Sequence, residues 1–345
     1  MITPFWSRRA LSGAAVALAS LLAACSSPPP AVTRAPPPPV TLAPQVIEQA
    51  SAYRVYMQRA TQIDPAFQNG AAVADSLRTA AAYEPRQLMR GAMAYGAVAA
   101  LQEPRYVASV RAFAIDPAAR QQMVAQILRE PSYVLGLEGA QAAAGLAVAA
   151  IGEEGQKLYQ RGTAVKQAAY DIQRSPWSKS EVANRPGRLA QTKALSGVPQ
   201  TGDSQDVALL SQAAVGAAPL ALTPSPAQPP YSPVVVRSLA LAALAALGSA
   251  GDANISEVTN LLSDPASDSC LSMSKLNLYQ CLAVSKPHYE DVFCLGQHVL
   301  MDTGQCLIRS AGLPAPVAPA RVKVAETTAA AGTKGASARP ASKKR

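Results

Sequence analysis

The chain has 345 residues, with 31 Lys+Arg against 22 Asp+Glu, 2 His, 5 Cys and 49% hydrophobic residues, much of it alanine. That apolar fraction excludes a wholly disordered chain, and the length allows one large domain or two small ones. Two histidines, and four cysteines beyond the N-terminal one, leave little material for a multi-metal enzyme. The formal charge of +9 is concentrated at the ends: Arg8, Arg9 and Arg34 with no acid in residues 1–44, and seven bases against Glu326 in residues 313–345. Bases and acids balance in between. A folded nucleic-acid interface needs its own positive cluster, so no nucleic-acid partner is expected.

Residues 1–24 read as a signal peptide. Arg8 and Arg9 form a positive segment, and Leu11 to Ala24 is an uncharged, mostly apolar run of secretory length. It is too short for a comfortable membrane span. The run ends in Leu22-Ala23-Ala24-Cys25, which resembles the lipobox of bacterial lipoproteins: a large apolar residue, two small ones, then the cysteine that receives lipid. The resemblance implies lipidation of Cys25. Ser26 follows, not Asp, which by similarity to enterobacterial sorting favours the outer membrane over the inner. Ser7-Arg8-Arg9 weakly resembles a twin-arginine signal, without the usual apolar pair after it.

Residues 25–45 are expected to be the lipidated cysteine and a proline-rich stalk. Eight prolines in the twenty residues 26–45 cannot build a helix, since proline lacks an amide hydrogen and fixes φ. A polyproline II spacer up to roughly 60 Å long would result.

Residues 46–174 read as a helical bundle. Val46, Ala50, Tyr53, Tyr56 and Met57 form one stripe at spacings of three and four. Helical patterns follow over 71–82, 86–101, 105–114, 118–129 and about 138–173. Asp64-Pro65, Glu84-Pro85, Glu103-Pro104, Asp116-Pro117 and Glu130-Pro131 separate them. In each, the proline suits the first turn of the next helix and the acid lies near its positive N-terminus. Their spacing is uneven, so a bundle is preferred over a solenoid. The Ala/Gly-rich stretches 139–156 and 233–248 are read as buried helix faces. Each is short or interrupted, by Glu153-Glu154 after the first and Arg237 within the second.

Residues 175–232 carry eight prolines and many polar residues. They are expected to form a long irregular loop or linker with one short helix at about 204–214. Lys179, Arg185, Arg188 and Lys193 make this stretch locally basic, which is read as a solvated surface. Residues 233–312 form a second helical segment. Residues 313–345 lack apolar periodicity and read as a disordered basic tail. Arg321, Lys323, Lys334, Arg339, Lys343, Lys344 and Arg345 could attract polyanions such as lipopolysaccharide or peptidoglycan carboxylates.

Cys270, Cys281, Cys294 and Cys306 lie within 37 residues, which in an exported chain implies disulfides. Cys270 and Cys281 are 11 apart, about 16 Å along one helix, so an unbroken helix cannot join them. The midpoints of the inner and outer pairs both fall on Lys286-Pro287-His288, where proline would end one helix and begin another. The nested pairing Cys281–Cys294 and Cys270–Cys306, in an antiparallel hairpin, is therefore expected. It is similar in geometry to the mitochondrial coiled-coil-helix-coiled-coil-helix proteins. The intervening counts here are ten and eleven, against nine usual in that family. Should Thr303-Gly304 break the second helix, the sequential pairing 270–281 and 294–306 gains ground. A metal site from Cys294, His298 and His288 is the rival reading, disfavoured in an oxidising compartment.

No familiar catalytic motif appears. Ser272-Met273-Ser274-Lys275 fits a Ser-x-x-Lys pattern without its companion motifs. Glu138 and the Glu153-Glu154 pair are candidate general acids, more readily read as solvated surface. The sequence thus predicts an all-α protein, an irregular multi-helix bundle with a C-terminal disulfide-braced antiparallel helical hairpin. No catalytic residue, metal or cofactor is expected. Its expected place is the outer membrane, lipid-anchored and facing the periplasm. Its expected role is non-enzymatic: structural, assembly or protein-binding work in the cell envelope, with another envelope protein as partner. A peptidoglycan-acting enzyme, or a polymer-binding tether acting through the basic tail, is the alternative.

Overall fold

The computed structural model describes residues 36–226 and 228–317. Helices dominate, and among the described residues β-pairing is confined to two isolated bridges, Leu42 with Ala250 and Glu181 with Pro287. The all-α reading therefore stands.

The helix starts follow the acid-proline punctuation. Helix α1 spans Pro44–Thr61 and α2 spans Gly70–Ala81. Then come α3, Pro85–Ala100, α4, Pro104–Arg111, and α5, Pro117–Arg129. The side chains of Glu84, Glu103 and Asp116 accept hydrogen bonds from amides in the first turns of α3, α4 and α5. Each acid is thus a true N-cap, satisfying donors the helix cannot satisfy itself. Two breaks behave differently. Asp64-Pro65 begins no helix; α2 starts five residues later, capped by Asn69. Glu130-Pro131 opens only a 3-10 segment, Pro131–Gly136.

Helix α6, Ala140–Asp171, is the longest. Its 32 residues extend about 48 Å. The core gathers where its N-terminal half meets α3 and α9 (Pro233–Ala246). Every residue of α3 from Gly91 to Ala100 is buried, as is every residue of α9 from Ser238 to Ala246. Alanine permits this, because small side chains let three helix backbones share one interior. At Gly96 of α3, a methyl group would lie 2.7 Å from Ser238 Oγ and 3.1 Å from Ile151 Cδ1. The Ala-rich stretches 139–156 and 233–248 are thus interior helices. Among the described residues no helix is long and apolar enough to cross a membrane.

Residues 175–232 correct the expectation of a long loop. The helix at 204–214 is present as α8, Ser204–Ala214. A second helix of equal length, α7, Arg185–Leu195, precedes it. One contiguous core runs from Ala43 to Ala311, so the two helical parts are not separate bodies. The end of the expected stalk also differs. The Thr41 amide donates to Ala245 O and the Ala43 amide to Ala250 O, and Arg111 holds Pro38 O at 3.0 Å. Residues 38–43 are a strap laid on the body.

The chain closes with α10, Ile255–Leu261, α11, Pro265–Val284, and α12, His288–Cys294. A π-helical segment, Leu295–Met301, then leads into α13, Asp302–Ser310. Helix α11 and the α12–α13 rod are the two arms of the expected hairpin.

Candidate functional site

The four body cysteines pair as nested rungs: Cys270–Cys306 with Cα atoms 5.8 Å apart, and Cys281–Cys294 with 5.7 Å. Equal rungs require both cysteines of each arm to face the partner arm. Eleven residues of α-helix return to within about 20° of the starting direction, whereas twelve overshoot by about 120°. The first arm has a spacing of 11 and the second of 12. The π-helical segment lies between Cys294 and Cys306 and absorbs one extra residue in a wide turn. It brings Cys306 back onto the face of Cys294.

The same wide turn serves α6. Gly155 and Gly162 are seven apart on α6, while Gly296 and Gly304 are eight apart on the C-terminal arm. A methyl group on Gly162 would lie 2.6 Å from Met301 N, and one on Gly304 2.6 Å from Tyr159 N. The two helices therefore touch backbone to backbone. Gly304 does not break the helix; it is the contact. The sequential pairing, which depended on a helix break at Thr303-Gly304, is not formed for that reason, and the expected nested pairing is. Cys294 is bonded to sulfur, and His298 Nδ1 lies 3.0 Å from Asp302 Oδ2, so the Cys294/His298/His288 ligand set is not formed.

Two arginines of the expected basic surface act inside. Arg185 Nε donates to Ser285 O at 2.7 Å, and its Nη2 donates to Ala283 O and Val284 O. Arg188 donates to Leu282 O and pairs with buried Asp291, whose carboxylate also accepts from Ser285 Oγ at 2.7 Å. Together they satisfy the free carbonyls at the C-terminus of α11 with positive charge, where the helix dipole favours it. Burial pushes the Asp291 carboxyl up, and the Arg188 guanidinium opposes the shift. Lys179 and Lys193 are exposed, as read from the sequence.

Lys275 is 4% exposed. Its Nζ donates to Ala81 O at the end of α2 and lies 3.1 Å from Ser196 Oγ and 3.5 Å above the Tyr83 ring. Burial drives its pKa well below the ordinary lysine value, and burial pushes the Tyr83 phenol up to about 12. Tyr83 in turn shares a hydroxyl chain with Thr303 and Ser274. Ser272 faces solvent and donates to Asp268 O. The Ser-x-x-Lys motif therefore places its serine and lysine in opposite environments and forms no dyad.

A polar pocket of about 400 Å³ gathers Arg54, Tyr95, Glu154, Lys157 and Asp206. Arg54 Nη2 is 3.2 Å from Asp206 Oδ1 and its guanidinium sits 5.1 Å from the Tyr95 ring centre. Asp206 Oδ2 is buried without a partner, and burial raises the carboxyl against the opposing charge of Arg54. Glu154 enters the pocket paired with Lys157, while Glu153 and Glu138 are exposed. Asp206 escaped sequence reading because its partners lie on α1, 150 residues away.

At the far end of α6, Tyr170, Val284, Tyr289 and Phe293 line a mostly apolar groove of about 400 Å³ floored by Cys281 and Cys294. Cys25 and the tail residues Arg321, Lys323, Lys334, Arg339, Lys343, Lys344 and Arg345 lie outside the described residues. Compared with protein-family models, curated proteins and solved structures, the chain matches none of them.

Proposed function

We propose that the protein is a lipoprotein of the bacterial cell envelope, anchored through Cys25, whose helical body serves assembly or protein binding on the periplasmic face of the outer membrane. The observation that carries this reading is Leu22-Ala23-Ala24-Cys25 closing a basic-then-apolar leader. Two body disulfides accord with it, because such bonds persist outside the reducing cytosol. The body's apolar groove at the hairpin bend is the kind of surface a protein partner covers. Metabolic labelling with palmitate should mark the wild-type chain and not Cys25→Ser, which should leave the membrane fraction. Label retained by the variant, or none on either, overturns the reading.

A second reading rests on the polar pocket: a peptidoglycan-acting enzyme using Asp206 and Glu154. Release of soluble muropeptides from purified sacculi, abolished in Asp206→Asn, would establish it; no release by the disulfide-bonded protein removes it.

A further inference from the structure

The strap fixes where the body leaves its anchor. Pro38 is held by Arg111 and packs on Gly248, and the first described residue is Pro36. Eleven peptide steps separate Pro36 from Cys25, a reach of at most roughly 40 Å. The point of departure borders a groove of about 570 Å³ whose lining includes Val40, Val107, Arg111 and Val215. Phe113 and Ile115 follow Arg111 directly, on the 3-10 segment Ala112–Ile115. Val215 is 58% exposed, Ile115 46% and Phe113 36%, so large apolar side chains face outward beside the tether.

We propose that this end of the body, the groove bounded by Val40, Val107 and Val215 with Ile115 and Phe113, rests on the membrane leaflet that carries the Cys25 anchor. The inference depends on the lipoprotein reading above. An apolar surface adsorbs at the headgroup boundary by burying side chains there. A short tether makes that contact intramolecular, so even weak adsorption is populated. The opposite end fits the arrangement. Gly139, before the start of α6, sits against Tyr106 of α4. Tyr170, near the other end of α6, lines the hairpin groove with Val284. The hairpin groove is therefore carried about 48 Å from the bilayer end by the length of α6, free for a partner.

The test uses the full lipidated chain in vesicles of phosphatidylethanolamine and phosphatidylglycerol, with and without brominated acyl chains. Tryptophan reporters are placed singly, in a Trp177→Phe background, as Val215→Trp, Ile115→Trp and Val284→Trp. Mass measurement first establishes acylation of Cys25, and thiol titration establishes that both disulfides have formed. The proposal expects bromine to quench the reporters at 215 and 115 and to leave the one at 284 unchanged. Acylated protein in which 215 and 115 stay unquenched, or in which 284 is quenched equally, overturns the membrane face and leaves the anchor standing. Protein without acyl chains on Cys25 overturns the anchor itself, and the face with it.

Discussion

Arg188 and Asp291 form an ion pair whose side chains are 9% and 2% exposed. Removing one partner strands the other in a poorly solvated site, which costs about 3–5 kcal/mol. Arg188→Ala should therefore lower stability by about that amount in chemical denaturation. Arg188→Ala combined with Asp291→Asn should recover part of the loss, since the stranded charge is gone. Lys275 behaves in the opposite sense, because its charge has hydrogen-bond acceptors and a ring but no carboxylate in contact. Its folded pKa is depressed. Between that lowered value and the ordinary lysine value of about 10.4, the unfolded chain holds a proton that the folded chain lacks. Stability must then rise with pH across this window and be lowest below it. Lys275→Met should abolish the rise. An unchanged slope of unfolding free energy against pH in the variant would show that Lys275 does not titrate there.

Much of the element pattern was legible because its determinants are local. Glu84, Glu103 and Asp116 announce helices that begin one residue later, since the capping hydrogen bonds span only two or three positions. The nested disulfides were legible for a similar reason, from two midpoints that both fall at Pro287-His288. What stayed hidden depends on distant partners. Helix α7 looks like linker until its arginines find the end of α11, about a hundred residues on. Thr303-Gly304 looks like a helix break until α6 packs against it. The π-helical turn is visible only as the mismatch between spacings of 11 and 12. Deleting Gln297 should convert that turn to α-helix with the spacing of 11 that the first arm already has, leaving Cys306 within about 20° of the Cys294 face. Iodoacetamide should then leave all four body cysteines of the folded variant unmodified; alkylation of Cys270 and Cys306 would show that the π-helical turn does more than absorb one residue. In the wild type, Cys270→Ser should cost about 4 kcal/mol by loop-closure entropy over 36 residues. Cys281→Ser should cost about 3 kcal/mol over 13.

At the scale of the molecule, one core unites what the sequence suggested were two helical parts. Unfolding by urea should accordingly show a single transition, coincident by circular dichroism and by Trp177 fluorescence; two separated transitions would restore the two-part reading. The position of the strap gives the body a direction, with the strap and one apolar groove at the start of α6 and the hairpin groove at its other end. All of this bears on function only if the chain is held at a membrane by its N-terminal cysteine. The most direct measurement is the intact mass and N-terminal peptide of the protein purified from cell membranes. The account predicts a chain that begins at Cys25, heavier by a diacylglyceryl group and an amide-linked acyl chain, with four body cysteines resistant to alkylation. A chain that begins at Met1 with a free thiol at Cys25 would contradict it.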